Sequence, residues 1–534
     1  MLLKLLAYFS FLLFAFLEGK RHLHMLQLEG YKNFRYLRCL RRGLSRFLNE
    51  NKYIYLYVLL LFAIRSFKLG FTYELLVGWI LILSYSEYIK FKSRRNVKKP
   101  LVFTYRATRL FILFMGLQVL FGLLLDEHIR DLLLYLIGLN LLLLISPLTL
   151  ILANTLIYPL ELLVQLTYLR SAQNRVKELN HITTVGITGS YGKTSTKHFV
   201  AAILSEKFNV LMTPGSYNTL MGVTKVIREK LGKEHEVFVC EMGAHQIGDI
   251  RELAKLVRPK VGVITSIGPQ HLESFKSIEN VIKTKFELVE ELPPDGVAIL
   301  NGDNEYCLSY SDKVANGRRV LFFGYERITP DLYVWAEDIK TTCRGLEFTV
   351  KVRDGQEFRC RTSLLGRHNV GNLLAAIAVA LVLGMNLKEI ERGIKRIAPV
   401  PHRLQLINSE SGITVIDDSF NSNPVGFREA LSCLKEMEGG KKVVVTPGMV
   451  ELGEIEYEEN RKAGLLLAET CDYVILVGKG RSKPILEGLC DAGFPSDKIK
   501  VVSNLEEAKR ELARILRPGD IVLFENDLPD NYSE

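Results

Sequence analysis

The sequence predicts an N-terminal α-helical, multi-span membrane region followed by two α/β domains, the first with a phosphate loop and the second Rossmann-like. Three observations predict this. From Met1 to about Leu169 the chain is dominated by Leu, Phe, Tyr and Ile, and from about Ser171 it has the mixed composition of an ordinary α/β protein. The stretch GITGSYGKTSTKHF, residues 186–199, sits between a β-rich run and a helical one. Beyond Pro399, β-rich runs alternate with helical stretches. A chain of 534 residues exceeds one domain, and the shifts in composition divide it into residues 1–169, 170–398 and 399–534.

The first region reads as about five spans. Residues 2–17 are apolar apart from Lys4 and Ser10. No small-residue cleavage site follows, and Gly19-Lys20-Arg21 forms a stop-transfer flank, so a retained anchor is expected. Further apolar stretches are 53–64, 69–89 and 110–125, and a fifth runs from Leu132 past Pro147 to about Ala153. A helical span needs about 20 residues, so 53–64 is short and either tilts or pairs with the next stretch. From Glu18 to Lys52 there are nine Lys and Arg, and between Lys90 and Pro100 there are six. Basic loops stay in the cytoplasm. The N-terminus is therefore expected outside the plasma membrane, with residue 170 onward in the cytosol. Residues 156–169, with Pro159 and Glu161 in an apolar run, read as an interfacial helix leading out of the bilayer.

The net charge of +10 is concentrated in those loops, beside apolar segments. That placement suits anionic membrane lipids, and no nucleic-acid signature accompanies it. The eight cysteines are scattered singly with no C-x-x-C pair, which argues against a zinc ribbon and gives no disulfide framework.

Residues 183–188 are β-rich and 194–204 helical, so Gly189, Ser190, Tyr191 and Gly192 fall on the turn between them. Backbone N–H groups at such a helix start cradle phosphate. Lys193 supplies charge, Thr194 reaches a metal ion, and Ser195 continues the cradle. The strict G-x-x-x-x-G-K-[ST] form is not met, because position 187 is Ile.

The variant T-G-x-x-G-K-T-[ST]-T resembles the Mur ligase family of ATP-dependent amide ligases that build cell-wall peptides. The resemblance continues in order through VFVCEMGAHQIGDI (237–250), SIGPQHLESFKSIENVIKTKFEL (266–288), LNGDN (300–304), GRHNVGNLLAAIAVALVLG (366–384), HRLQ…VIDDSFNSNP (402–424) and VTPGMVELGE (445–454). It covers about 350 residues and is nearest the MurF type. It implies ATP and Mg²⁺ as cofactors and an acyl phosphate on the way to the amide. It also implies that Lys193 holds the β/γ-phosphates and that Thr194 and Glu241 hold one Mg²⁺, with His271 on a second. Lys285 would be carbamylated, which turns a cation into an anion beside the metals. Asn369 and Asn372 would face the adenine, Arg403 the phosphates and Asp418 the ribose. Glu451 would stand near the incoming amine.

The chain also departs from the family. The soluble domain that grips a UDP-sugar is replaced by the membrane region. PGSYNTLMG (214–222) stands for the usual G-N-x-N-N segment and keeps Asn218. LFENDLPDNY (523–532) stands where many relatives carry a basic K-G-S-x-x segment, so Glu525, Asp527 and Asp530 take the place of cations. Three functions follow as expectations. One is a membrane-anchored ligase joining an amino acid or dipeptide to a lipid-linked or UDP-linked cell-wall peptide precursor. A second is MurF-like addition of D-Ala-D-Ala to soluble UDP-MurNAc-tripeptide. A third, of another class, is a transport or sensing protein with a regulatory ATPase module.

Overall fold

The computed structural model describes residues 2–42, 52, 56–58, 60–61, 73–92, 100–270, 272–314, 317–342, 345–408, 411–420 and 422–527. Internal packing divides the chain into two units, with the boundary between Leu166 and Thr167.

The first unit is helical. Three helices among the described residues are long and apolar enough to cross a membrane: Leu2–Leu28, Tyr105–His128 and Ser146–Glu178. The helix Tyr73–Lys92 covers most of the expected span 69–89, and the expected span 53–64 lies largely outside the described residues. Their packed faces carry Phe11, Phe14, Trp79, Tyr135 and Leu139 in one cluster, and Leu23, Leu110, Phe114 and Leu150 in another. Two buried polar groups are paired across helices, as burial favours. Trp79 Nε1 donates to Asn140 Oδ1 at 3.0 Å, and Arg109 grips the buried Glu161 carboxylate through two bonds of 2.7 and 3.0 Å.

Two expectations fail here. The single span over 132–153 is two helices, Leu132–Leu144 and Ser146–Glu178, broken at Ile145. Pro147 permits the break: it has no N–H to continue a preceding helix, and its fixed φ suits the first turn of a new one. The separate interfacial helix over 156–169 is instead the middle of Ser146–Glu178. Pro159 stays inside it, and apolar residues flank it on both sides. The helix extends to Glu178, where Ala172 and Leu179 join the core of the second unit.

The second unit holds two sheets. Among the described residues the first has nine strands: β1 (Thr183–Thr188), β2 (Val210–Met212), β3 (Val237–Glu241), β4 (Val261–Ile264), β5 (Val297–Asn301), β6 (Arg319–Gly324), β7 (Leu332–Thr342), β8 (Gly345–Val352) and β9 (Glu357–Thr362). Their order is β2-β3-β1-β4-β5-β6-β7-β8-β9, parallel through β7 and antiparallel thereafter. Val185, Ile187, Val239 and Val263 are buried on one face, and Phe238, Cys240, Ile264 and Leu300 on the other. Unbroken Val/Ile runs form these strands because helices cover both faces. β8 alternates buried and half-buried residues, since its far face is wet.

The second sheet has six described strands: β10 (Gln405–Asn408), β11 (Thr414–Asp418), β12 (Lys442–Thr446), β13 (Tyr473–Val477), β14 (Ile499–Val502) and β15 (Ile521–Glu525). Their order is β10-β11-β15-β12-β13-β14. The β-rich runs expected beyond Pro399 are β11 to β15, all parallel to their neighbours among these five. β10 adds an antiparallel edge that the sequence reading missed, because four residues ending in Asn carry little periodicity.

Candidate active site

The phosphate loop lies where theory puts ligand sites, at the carboxyl end of the parallel strands. β1 lies between β3 and β4, and Ile187 on β1 pairs with Glu241 at the end of β3. The chain leaves β1, turns through Gly189 at φ +150° and Gly192 at φ +78°, and enters the helix Lys193–Leu204. Both glycines are required. A Cβ on Gly189 would stand 2.1 Å from Thr265 Oγ1, and one on Gly192 2.3 Å from Asn372 Oδ1. Gly189→Ala should destabilise the fold by about 1–3 kcal/mol through strain and crowding and abolish nucleotide binding. Thermal melting and ADP titration of the variant would check both outcomes, and ADP binding at wild-type strength would contradict them.

Ser190 and Tyr191 turn away from the turn's open side. Ser190 Oγ bonds the Gly268 carbonyl at 3.0 Å, and Tyr191 Oη bonds the Pro269 carbonyl at 3.3 Å. They brace the loop after β4, whose Thr265 Oγ1 in turn bonds the Tyr191 carbonyl. The N-x-D motif is a further brace. Asn301 and Asn304 donate to the carbonyls of Thr265 and Ile267 at 2.9 Å each, and Asp303 accepts three backbone N–H groups at 325–327.

Lys193 Nζ donates to the carbonyls of Gly189 and Ser190 at 2.8 and 2.9 Å. Burial brings its pKa down to about 8, with Glu241 opposing the shift and Arg403 adding to it. Glu241 Oε1 accepts from Thr194 Oγ1 at 3.2 Å and from Asn218 Nδ2 at 3.1 Å. Its Oε2 meets Lys197 Nζ at 3.0 Å. Burial would raise the Glu241 carboxyl, but the two lysines, 197 and 193, outweigh it and hold it below its usual value.

Lys197 is the functional residue the sequence reading missed. It is fully buried and is clamped by Glu241 and the Gly215 carbonyl, the latter at 2.7 Å. Its position four residues after Lys193, one helical turn on, was the available signal.

Lys285 lies on the helix Ile278–Glu290 and is buried. Burial, reinforced by Lys193, pushes its ammonium well below the usual lysine value. His271 lies outside the described residues. Among the described residues no three His, Cys, Asp or Glu side chains cluster as a ready metal site. Thr194 and Glu241 nonetheless offer two hard oxygens at the phosphate loop, which suit Mg²⁺.

Asn372 reaches the phosphate loop itself. Its Oδ1 accepts from Thr196 Oγ1 at 3.2 Å, and its Nδ2 donates to Asn369 Oδ1 at 2.9 Å. Asn369 Nδ2 ends on the Leu365 carbonyl at 2.7 Å. Ser195 is buried one residue beyond Thr194. From the second sheet, Arg403 sits in a strained segment, between His402 at φ +62° and Leu404 at φ +45°. Its guanidinium lies 4.5 Å from the centre of the Phe420 ring. Burial lowers its pKa against the pull of Asp418, Glu241 and Glu525. Asp418 accepts the Leu404 N–H at 3.1 Å. Glu451 has φ +66°, in the turn after β12.

Comparison with known proteins follows this geometry. Residues 187–380 match the Mur ligase middle domain, and residues 402–525 match the Mur ligase, glutamate ligase domain. The UDP-N-acetylmuramoyl-tripeptide–D-alanyl-D-alanine ligase of Escherichia coli (strain K12) is 36% identical over 296 residues, 55% of this chain and 64% of that one. That of Mycobacterium tuberculosis (strain H37Rv) is 32% identical over 361 residues, 64% of this chain and 70% of that one. Among solved structures, MurF from Acinetobacter baumannii superposes with a TM-score of 0.62 at 28% identity, covering 69% of this chain and 78% of that one. MurF ligase from Thermotoga maritima in complex with ADP gives 0.60 at 27%, covering 68% and 80%. With both domains matched in order around one phosphate loop, the chain belongs to the Mur ligase family and is an ATP-dependent C–N bond-forming ligase.

Proposed function

We propose that this chain is a membrane-anchored ligase of cell-envelope peptide synthesis, joining an amino acid or dipeptide to a peptide precursor presented at the membrane. One observation carries the reading. The same chain holds a Mur-type phosphate loop and, among its described residues, three helices long and apolar enough to cross a membrane. A precursor confined to the bilayer meets a tethered enzyme at high effective concentration, which makes a separate sugar-gripping domain unnecessary.

Carboxylate and phosphate are both anions, so the residues between them must neutralise charge. Lys193 and Arg403 supply fixed cations to the phosphates. Asn372 holds Gly192 and Thr196 in register, and Asp418 receives the ribose. Lys197 and Asn218 orient the Glu241 carboxylate. Thr194 and Glu241 would hold one Mg²⁺, which would supply charge to screen the phosphates; by the family resemblance His271 would serve a second and Lys285 would carry a carbamate. The substrate carboxylate takes the γ-phosphoryl group of ATP with release of ADP, and the amine then attacks the acyl carbon, expelling phosphate and losing a proton to give the amide.

A second reading rests on the relatives' names: MurF-like addition of D-Ala-D-Ala to soluble UDP-MurNAc-tripeptide. A truncated chain starting at Thr167 separates the two. Under the membrane reading it keeps nucleotide binding and loses most ligation of a lipid-linked muropeptide, by about 10²-fold or more, the gain that tethering supplies. Equal activity of full and truncated chains on the UDP-linked acceptor, with none on the lipid-linked one, would establish the second reading.

A further inference from the structure

Asp418 and Glu525 are the last residues of β11 and β15, neighbouring parallel strands, and they stand directly opposite each other in the register. Their side chains therefore leave the sheet on the same face at its carboxyl end. Glu525 is fully buried. Its Oε1 accepts from Ser422 Oγ at 2.5 Å, whereas its Oε2 has no donor. The register sets the two carboxyl groups side by side, one strand spacing apart, where their charges act on each other. The backbone locks them there. Asn526 N donates to the Asp418 carbonyl at 3.1 Å, and Asn526 Nδ2 donates to the Gly448 carbonyl at 2.6 Å.

Two ionised carboxylates this close are disfavoured, and one proton between them removes the repulsion. The charges facing the pair leave room for that proton. Arg403 is one cation, and it also faces Glu241. His368, at the start of the helix His368–Val382, faces Asp418 but is paired with Glu429 at 3.6 Å. Asp417 is taken by His402 at 2.8 Å. Burial pushes both carboxyls up, Glu525 far above its usual value.

We propose that Glu525 is a positioning residue, holding a proton shared with Asp418 that aims the Asp418 carboxyl, and Arg403 beside it, at the nucleotide. The inference rests on Asp418 and Arg403 serving the nucleotide, as proposed above.

The test uses the full-length protein in detergent. Infrared spectra in H₂O and D₂O at neutral pH should show the C=O stretch of an un-ionised carboxyl, lost in Glu525→Gln and shifted in frequency in Asp418→Asn, where the partner of the proton changes. Mg-ADP titration should give Glu525→Gln an affinity within about twofold of wild type, because its amide donates the same hydrogen bond. Glu525→Ala should bind at least about tenfold more weakly, the effect of losing a hydrogen bond to a charged group. A carboxyl band that survives in Glu525→Gln or keeps its frequency in Asp418→Asn, or ADP affinity unchanged in Glu525→Ala, would overturn the proposal. If Glu525→Ala does not fold, the band and Glu525→Gln still decide. Lys193→Ala is the control. If wild type and Lys193→Ala bind ADP equally, the nucleotide reading falls, while the infrared result continues to report on the shared proton.

Discussion

Lys193→Ala is expected to lower ligation by about 10²-fold or more, with the protein still folded and in the membrane fraction. Removing a fixed charge from a developing phosphate costs that much, and Lys193 holds little structure beyond two carbonyls of its own loop. Glu241 should matter as much, but the substitution has to be chosen from its contacts. Glu241→Ala would leave Lys197 as a buried ammonium without its carboxylate, a loss of about 3–5 kcal/mol. Glu241→Gln keeps the shape and the bonds to Thr194 and Asn218, but its amide N–H then faces the Lys197 ammonium, so it too loses stability, which the melting curves separate from the loss of turnover. ATP turnover by purified Lys193→Ala and Glu241→Gln, with melting curves alongside, is the measurement. Near-normal turnover in either variant would remove the proposed site.

The second large effect concerns Lys285. A lysine reacts with CO₂ only as the neutral amine, and burial, with Lys193 beside it, shifts Lys285 toward that form. The carbamate then adds an anion near Lys193. Lys285→Ala should therefore be inactive, with activity partly restored by a short carboxylic acid that replaces the carbamate. Lys285→Arg should be inactive without rescue, because the guanidinium stays charged. Intact-protein mass of active wild type under bicarbonate should show the added carboxyl group. An unmodified lysine in fully active enzyme would count against the idea.

The sequence by itself determined the elements whose signal is local. The turn with Gly189 and Gly192, the helix from Lys193 and the runs that became β11 to β15 are legible because glycine placement and β-branched runs act over a few residues. The composition break near residue 170 is equally local. Placement of Lys285 and Asp418 at a site came from resemblance, since a lysine on an amphipathic helix reads as surface. Tertiary structure alone decided three things. It broke the stretch 132–153 at Ile145 and carried one helix through Pro159, because packing chooses whether a proline starts a helix or kinks it. It turned Lys197 inward to Glu241, although charge on a helix usually means solvent. And it set Glu525 opposite Asp418, a contact fixed by strand order and register. A shift of one residue in that register would send Glu525 to the other face of the sheet and dissolve the pair, which is why no local reading of LFENDLPDNY contains it.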